Sequence, residues 1–288
     1  MQPLHRLMPL LARACFRFLA AMAAMVSLTG QPRADAAVDG SPREPLRFGV
    51  LNQQSPIQTA ERWNPVLRYL TVKTGIPLQL KMAPTVELTD AMMGREEFDL
   101  VYTNHNFQSQ FDGGYRVIAR CAGSPIRGAL VVPEGSPVAS LQDLQGQVVA
   151  FPSADAFVAY AVPMVALRDA GITVVARFAG NQDGALAQLK AGRVNAAAVN
   201  SRFLESYAGR ENLRYRTLYV SEPYRELPVL VHPRVAAEQA ALLTQTLLGM
   251  QNDPSAAAAL KAVQCPGFAV ATEQDYDNVR RIYRAIGQ

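Results

Sequence analysis

Signatures of catalysis are what this sequence lacks. It has no Gly-x-Ser-x-Gly elbow, no Gly-x-x-x-x-Gly-Lys-Ser/Thr loop, no His-Glu-x-x-His pair and no Gly-x-Gly-x-x-Gly fingerprint. Those are the arrangements that hold nucleophiles, triphosphates, zinc and dinucleotides. Histidine is scarce, with three in 288 residues, and no cluster has the spacing of a metal site. No cofactor is expected. A hydrolase or other enzyme acting on a small anion stays as the alternative, because an asparagine–histidine–aspartate grouping is capable of acid–base work. No nucleophile accompanies it.

A surplus of one charge is missing too. Of 28 Lys and Arg and 24 Asp and Glu, four arginines and one aspartate fall within residues 1–36, leaving 24 and 23 beyond them. Nucleic acid is therefore excluded as a partner on electrostatic grounds. Long apolar runs are absent as well, and residues 18–28 are too few to span a bilayer. Arg6, Arg13 and Arg17 precede that run, and Ala34-Asp-Ala36 follows it. This order is that of a cleavable export signal over residues 1–36, cut after Ala36. Cys15 precedes the run, where a lipid-anchored cysteine would not lie. Residues 37–45, with Gly40, Pro42 and Pro45, read as a linker.

What is present is one pattern stated four times: an apolar run, small polar residues, then a helix start. It appears as Phe98-Asp-Leu-Val-Tyr-Thr-Asn-His105, Val148-Val-Ala-Phe-Pro-Ser-Ala-Asp-Ala156, Val174-Val-Ala-Arg-Phe-Ala-Gly-Asn-Gln-Asp-Gly184 and Val194-Asn-Ala-Ala-Ala-Val-Asn-Ser201. A strand tip opening into a helix N-terminus carries unpaired N–H groups and a partial positive charge, which suits an anion. Lys and Arg are absent from the polar ends of these tips. The candidate groups are Tyr102, Thr103, Asn104 and His105 at the first, and Ser153, Ala154, Asp155, Ala156 and Phe157 at the second. Gln182 and Asp183 stand at the third. Gln53, in the loop after the first strand, Cys121, Tyr160, Asn181 at the third tip and Asn200 at the fourth form a second rank. Asp155 and Asp183 either select a hydroxyl-bearing oxyanion, to which a carboxylate accepts a hydrogen bond, or serve as helix caps.

Apolar periodicity places strands and helices in alternation, which implies an α/β fold of mostly parallel sheets flanked by helices. Two such series, joined by apolar runs at residues 128–132 and 228–232, indicate two lobes. One comprises residues 46–127 plus 229–288, the other residues 128–228, with the ligand cleft between them beyond the strands' carboxyl ends. Cys121 and Cys265 remain after export. An even number in an oxidising compartment permits a disulfide; the other reading is a free Cys121 that binds a thiophilic ligand such as trivalent arsenic.

The runs Phe48-Gly-Val-Leu51, Trp63-Asn-Pro-Val-Leu-Arg-Tyr-Leu70, Phe98-Asp-Leu-Val-Tyr-Thr-Asn104, Leu141-Gln-Asp-Leu-Gln-Gly146 and Ala150-Phe-Pro-Ser153 are familiar as a set. In their order the chain resembles the periplasmic substrate-binding proteins of the phosphonate, phosphite and phosphate type, two-lobed type II proteins. The resemblance implies a periplasmic, monomeric receptor for a small phosphorus- or arsenic-centred oxyanion, closing by a hinge and delivering to a membrane permease or a histidine-kinase sensor domain. It carries over Tyr102, Thr103, Asn104, Ser153, Asp155, Ala156, Phe157, Gln182 and Asp183 as binding positions. The transport proteins for phosphonates usually show a Ser-Thr-Ser-Gly-like run where this chain has Pro152-Ser-Ala-Asp-Ala-Phe157, and a His-Asp pair where it has Gln182-Asp183. The run Ala156-Phe157 instead resembles the branch that senses arsenite and related oxyanions.

Overall fold

The structure, a computed structural model, describes residues 44–288 except Gln53. The expected export signal, its cleavage site, most of the linker and Gln53 lie outside the described residues. Among the described residues no helix is long and apolar enough to cross a membrane, and no cluster of His, Cys, Asp or Glu is placed to hold a metal ion.

Two sheets organise the chain. The first begins with β1 (Leu46–Val50), α1 (Pro56–Thr74), β2 (Leu78–Lys81), α2 (Val86–Gly94), β3 (Leu100–Tyr102) and β4 (Arg116–Cys121). The chain then crosses through β5 (Gly128–Pro133) into β6 (Val148–Phe151), α3 (Val162–Asp169), β7 (Val175–Phe178), α4 (Gln182–Lys190), β8 (Ala196–Asn200), α5 (Ser201–Glu211) and β9 (Tyr215–Val220). It returns through β10 (Pro228–Val231) to α6 (Ala237–Gly249), α7 (Ala257–Ala262), β11 (Phe268–Ala269) and α8 (Asp277–Ala285). The strand orders are β11-β4-β10-β3-β1-β2 and β7-β6-β8-β5-β9.

The α/β layering agrees with the sequence, but the sheets are mixed rather than mostly parallel. β1 pairs in parallel with β2 and β3, and β6 with β7 and β8. β10 runs antiparallel to β3 and β4, and β5 antiparallel to β8 and β9. The cause is the crossing itself: a strand arriving from the other sheet enters without a covering helix and so runs against its neighbours. The residues preceding β5 and β10 meet in a short antiparallel bridge, where Ile126 and Tyr224 exchange two backbone bonds of 2.8 Å.

Local chemistry fixes the element ends. Ser55 caps α1 by accepting from the Gln58 N–H, and Gly75 closes it at a φ of 69°, the left-handed value glycine takes without cost. Thr85 caps α2, Asn181 caps α4 and Asn200 caps α5. The central strands are buried on both faces. In β10, Val229 and Val231 join the apolar cluster around Trp63 and Leu243, while Leu230 joins the one around Phe98 and Tyr276. In β5, Ala129 and Val131 face one side of the second sheet and Leu130 and Val132 the other. This period of two is the strand's own geometry.

The helix that follows the second tip opens as a π-helical turn, Phe157–Ala161, before α3. Such turns recur at functional sites. Neither Ser153 nor Asp155 caps it; Ala156 holds that position and no side chain bonds there. The turn lies close against β5: a Cβ on Gly128 would sit 2.0 Å from the Val158 carbonyl oxygen. Phe157, Val158 and Val162 also share one apolar cluster with Tyr276 and Tyr283 of the C-terminal segment. Gln288 Nε2 donates to the Ala154 carbonyl at 3.0 Å, and Arg168 donates to that of Ala285.

Asp99 clamps the first sheet. It accepts from the Arg47 backbone N–H at 2.7 Å, from Arg47 Nε at 3.0 Å and from Arg234 Nε at 2.7 Å. Burial pushes its carboxyl upward, yet the bonds from Arg47 and Arg234 prevail and hold it at about 2. A carboxyl held below its unfolded value stabilises the fold above that value. Asp99→Asn is therefore expected to cost roughly 2 kcal/mol at neutral pH. The difference between the two proteins should shrink as pH falls below about 4 and vanish below about 2. Denaturant titrations across that pH range measure it; a difference independent of pH would show that charge is not its origin.

Candidate functional site

All four strand tips meet at one cavity of 60 Å³. Asn104 and His105 come from the turn after β3, Pro152, Ser153 and Ala156 from the link after β6, Gly180, Asn181 and Gln182 from the start of α4, and Asn200 from the tip of β8. Leu51 and Asn52, at the tip of β1, complete the ring, and Val86, Ile126, Phe157 and Leu227 supply apolar wall. No lysine or arginine lines it among the described residues.

The polar groups on this wall are biased toward donation. Asn181 Oδ1 accepts from the Gly184 N–H at 2.8 Å, Gln182 Oε1 from the Asn200 N–H at 2.7 Å, and Asn200 Oδ1 from the Arg202 N–H at 3.0 Å. Each partner is a backbone N–H, so the oxygen must be the end that meets it, and the NH₂ end is left over in all three. Ser153 and Asn104 are buried, and their side chains bond to nothing else among the described residues. Behind them, the first turn of the Phe157–Ala161 helix leaves N–H groups without acceptors of their own. A wall of this kind stabilises negative charge by dipoles.

Among the described residues His105 is the one titratable side chain on the wall. It is 1% exposed, and its Nδ1 lies 2.9 and 3.0 Å from the two oxygens of Asp90 on α2. A carboxylate only accepts, so Nδ1 carries the proton. Nε2 is buried and without a partner among the described residues. It can accept from a hydroxyl in the neutral ring or donate in the imidazolium. The Thr103 hydroxyl accepts from the His105 N–H at 3.0 Å, which fixes the turn.

Other expected site residues lie elsewhere. Asp183 is ion-paired with Arg210 at 2.7 Å and lines a separate, outer recess with Tyr102. Tyr102 packs against Trp63 with the rings tilted by 48° and centroids 4.6 Å apart. Asp155 is absent from the cavity wall; burial raises its pKa, with His105 opposing and Asp90 and Glu87 reinforcing. Asp155 and Asp183, expected to read the ligand's proton together or to cap helices, do not meet on this wall: Asp183 is paired with Arg210 and Asp155 lies off it. Thr103 and Ala154 do not line the wall. Tyr160 is edge-on to Phe151 at 5.1 Å and belongs to the second sheet's core. Phe157 lines the cavity and is wedged between Tyr224 at 4.8 Å and Tyr283 at 5.2 Å.

Cys121 and Cys265 are joined in a disulfide, with Cα atoms 5.7 Å apart. That removes the free-thiol reading of Cys121; the bond lines the outer recess and leaves the cavity without sulfur. Sequence reasoning passed over Asn52, Asp90 and the arginines of the outer recess. Asn52 could have been found, since it ends the β1 apolar run as Asn104 follows that of β3. Its amide is committed, donating to the Ala83 carbonyl at 2.7 Å and accepting from Thr89.

The sequence model of one family, described as the phosphonate ABC transporter periplasmic substrate-binding protein, matches residues 48–276. No curated protein matches the chain in sequence. Among solved structures the chain is similar to PhnD1 from Prochlorococcus marinus in complex with methylphosphonate, at a TM-score of 0.74 and 16% identity, over 84% of this chain and 97% of that one. A binding-protein component of an ABC phosphonate transporter from Pseudomonas aeruginosa gives 0.72 and 13%, over 83% and 85%. A Xanthomonas citri protein bound to a chloride ion gives 0.71 and 18%, over 84% and 96%. At these identities the structures attest the two-lobed fold.

Proposed function

The chain belongs to the family of periplasmic substrate-binding proteins of phosphonate ABC transporters, and from that premise we propose that its cavity receives one small phosphorus-centred oxyanion for delivery to a membrane permease. The family consists of binding proteins, not enzymes, which sets the hydrolase alternative aside. The observation that carries the reading is the donor-rich wall without lysine or arginine, closed by tips from both sheets. Since roughly 10–15 Å³ of such volume admits one water, the 60 Å³ present suits a group of four or so water-sized atoms, the dimensions of a tetrahedral oxyanion. In this reading Asn181, Gln182 and Asn200 donate through their NH₂ groups, Ser153 through its hydroxyl, and His105 Nε2 meets the ligand's hydroxyl or charged oxygen.

The lobes are residues 46–127 with 229–288, and residues 128–228, and the paired links at Ile126 and Tyr224 serve as the hinge. Arsenite held through sulfur has no support, because Cys121 is bonded to Cys265. Arsenite held by hydrogen bonds, and delivery to a histidine kinase, rest on the sensor-like run Ala156-Phe157 alone. Thermal shifts with methylphosphonate, phosphite, phosphate, arsenite and sulfate test the reading. A phosphorus oxyanion at 100 times its Kd should stabilise the protein by about 2.7 kcal/mol. No shift with any of them, or arsenite alone active, would overturn it.

A further inference from the structure

Gln182 and Asn200 line both the small cavity and a neighbouring recess of 230 Å³. The recess differs in chemistry from the cavity. Three arginines reach it, Arg62 on α1 and Arg202 and Arg210 on α5, against two carboxylates, Asp183 and Glu226. Arg210 is held by Asp183 at 2.7 Å and Arg202 by Glu226. Arg62 has no carboxylate partner among the described residues, although it is half-buried beside Trp63. Burial lowers its pKa, with the Tyr102 phenol opposing.

A half-buried cation without a counter-ion carries a desolvation cost that a ligand anion can offset. Resting on the reading of the cavity as a phosphonate site, we propose that the recess takes the ligand's organic substituent and that this substituent ends in a carboxylate bound by Arg62. The guanidinium fork fits a carboxylate with two parallel hydrogen bonds. Asp183 and Glu226 are already committed to arginines, so the local balance is positive and an ammonium group on the substituent is repelled. The preferred class is thus a phosphonocarboxylate, ahead of alkyl- and aminoalkylphosphonates.

Calorimetry on the purified protein decides this, with methylphosphonate, 2-aminoethylphosphonate, phosphonoacetate and 3-phosphonopropionate as probes. At least one phosphonocarboxylate should bind about tenfold tighter than methylphosphonate, and the aminoalkyl ligand no tighter than it. Arg62→Gln should erase the carboxylate advantage while methylphosphonate affinity stays within about twofold, which also shows that the variant folds. Equal affinity for all four probes, or an advantage that survives Arg62→Gln, overturns the inference. Failure of every phosphonate to bind is a separate result: it overturns the reading of the cavity and this inference with it.

Discussion

Gln182→Glu should cost the protein its anion while leaving its fold intact. Gln182 Oε1 accepts from the Asn200 N–H at 2.7 Å, and a glutamate oxygen accepts that bond equally well. Shape and volume hardly change. What changes is the other end, where an NH₂ donor becomes a carboxylate oxygen on a cavity wall that holds no lysine or arginine among the described residues. Two unit charges about 4 Å apart at an effective dielectric near 20 repel by about 4 kcal/mol. Loss of the donor adds to that, so a fall in phosphonate affinity of about 100-fold or more is expected. Calorimetry gives the affinity, and an unchanged melting temperature without ligand shows that the α4 start is preserved. Unchanged affinity would place the anion away from α4. An uncharged ligand such as arsenous acid should lose far less, so the same variant separates an anion receptor from an arsenite receptor.

The fold was legible because its signals are local and repeated. Apolar runs ending in Asn104, Ser153, Asn181 and Asn200 mark the tips, and all four converge on the cavity. The strand directions were not legible, because the antiparallel entry of β5 and β10 follows from the crossing and leaves no mark in their own residues. The site was half legible. Residue type announced Gln182 and Asn181 as polar, but only the hydrogen bonds to the Asn200 and Gly184 N–H groups reveal that the nitrogen of each is the end left over. Asp183 shows the limit, because a carboxylate beside a tip looks the same in sequence whether it is free or paired with an arginine. Arg210 lies 27 residues beyond Asp183, and nothing near either residue in the chain announces their pairing. Asp90, which orients His105, sits on α2, 15 residues away, and was invisible for the same reason.

Replacing both Cys121 and Cys265 by alanine should give the largest loss of stability of any change outside the site. The bond closes a loop spanning 144 residues, one that contains the entire second sheet. In the chain-entropy account such a loop contributes about 5 kcal/mol by restricting the unfolded chain. For a protein of this size that corresponds to a fall in Tm of about 10–20 °C. The bond also secures a short contact, since β11 is two residues long and Phe268 pairs opposite Cys121 on β4. Thermal unfolding with and without a reductant measures the effect. The double variant should melt low and be indifferent to reductant, whereas the native chain should drop to the variant's value when reduced. A native melting point unmoved by full reduction would contradict the loop-closure account. Ligand affinity supplies the second arm, because neither sulfur lines the cavity. The variant should bind methylphosphonate with native affinity at a temperature where both proteins are folded. Loss of binding there would return the cysteines to the site.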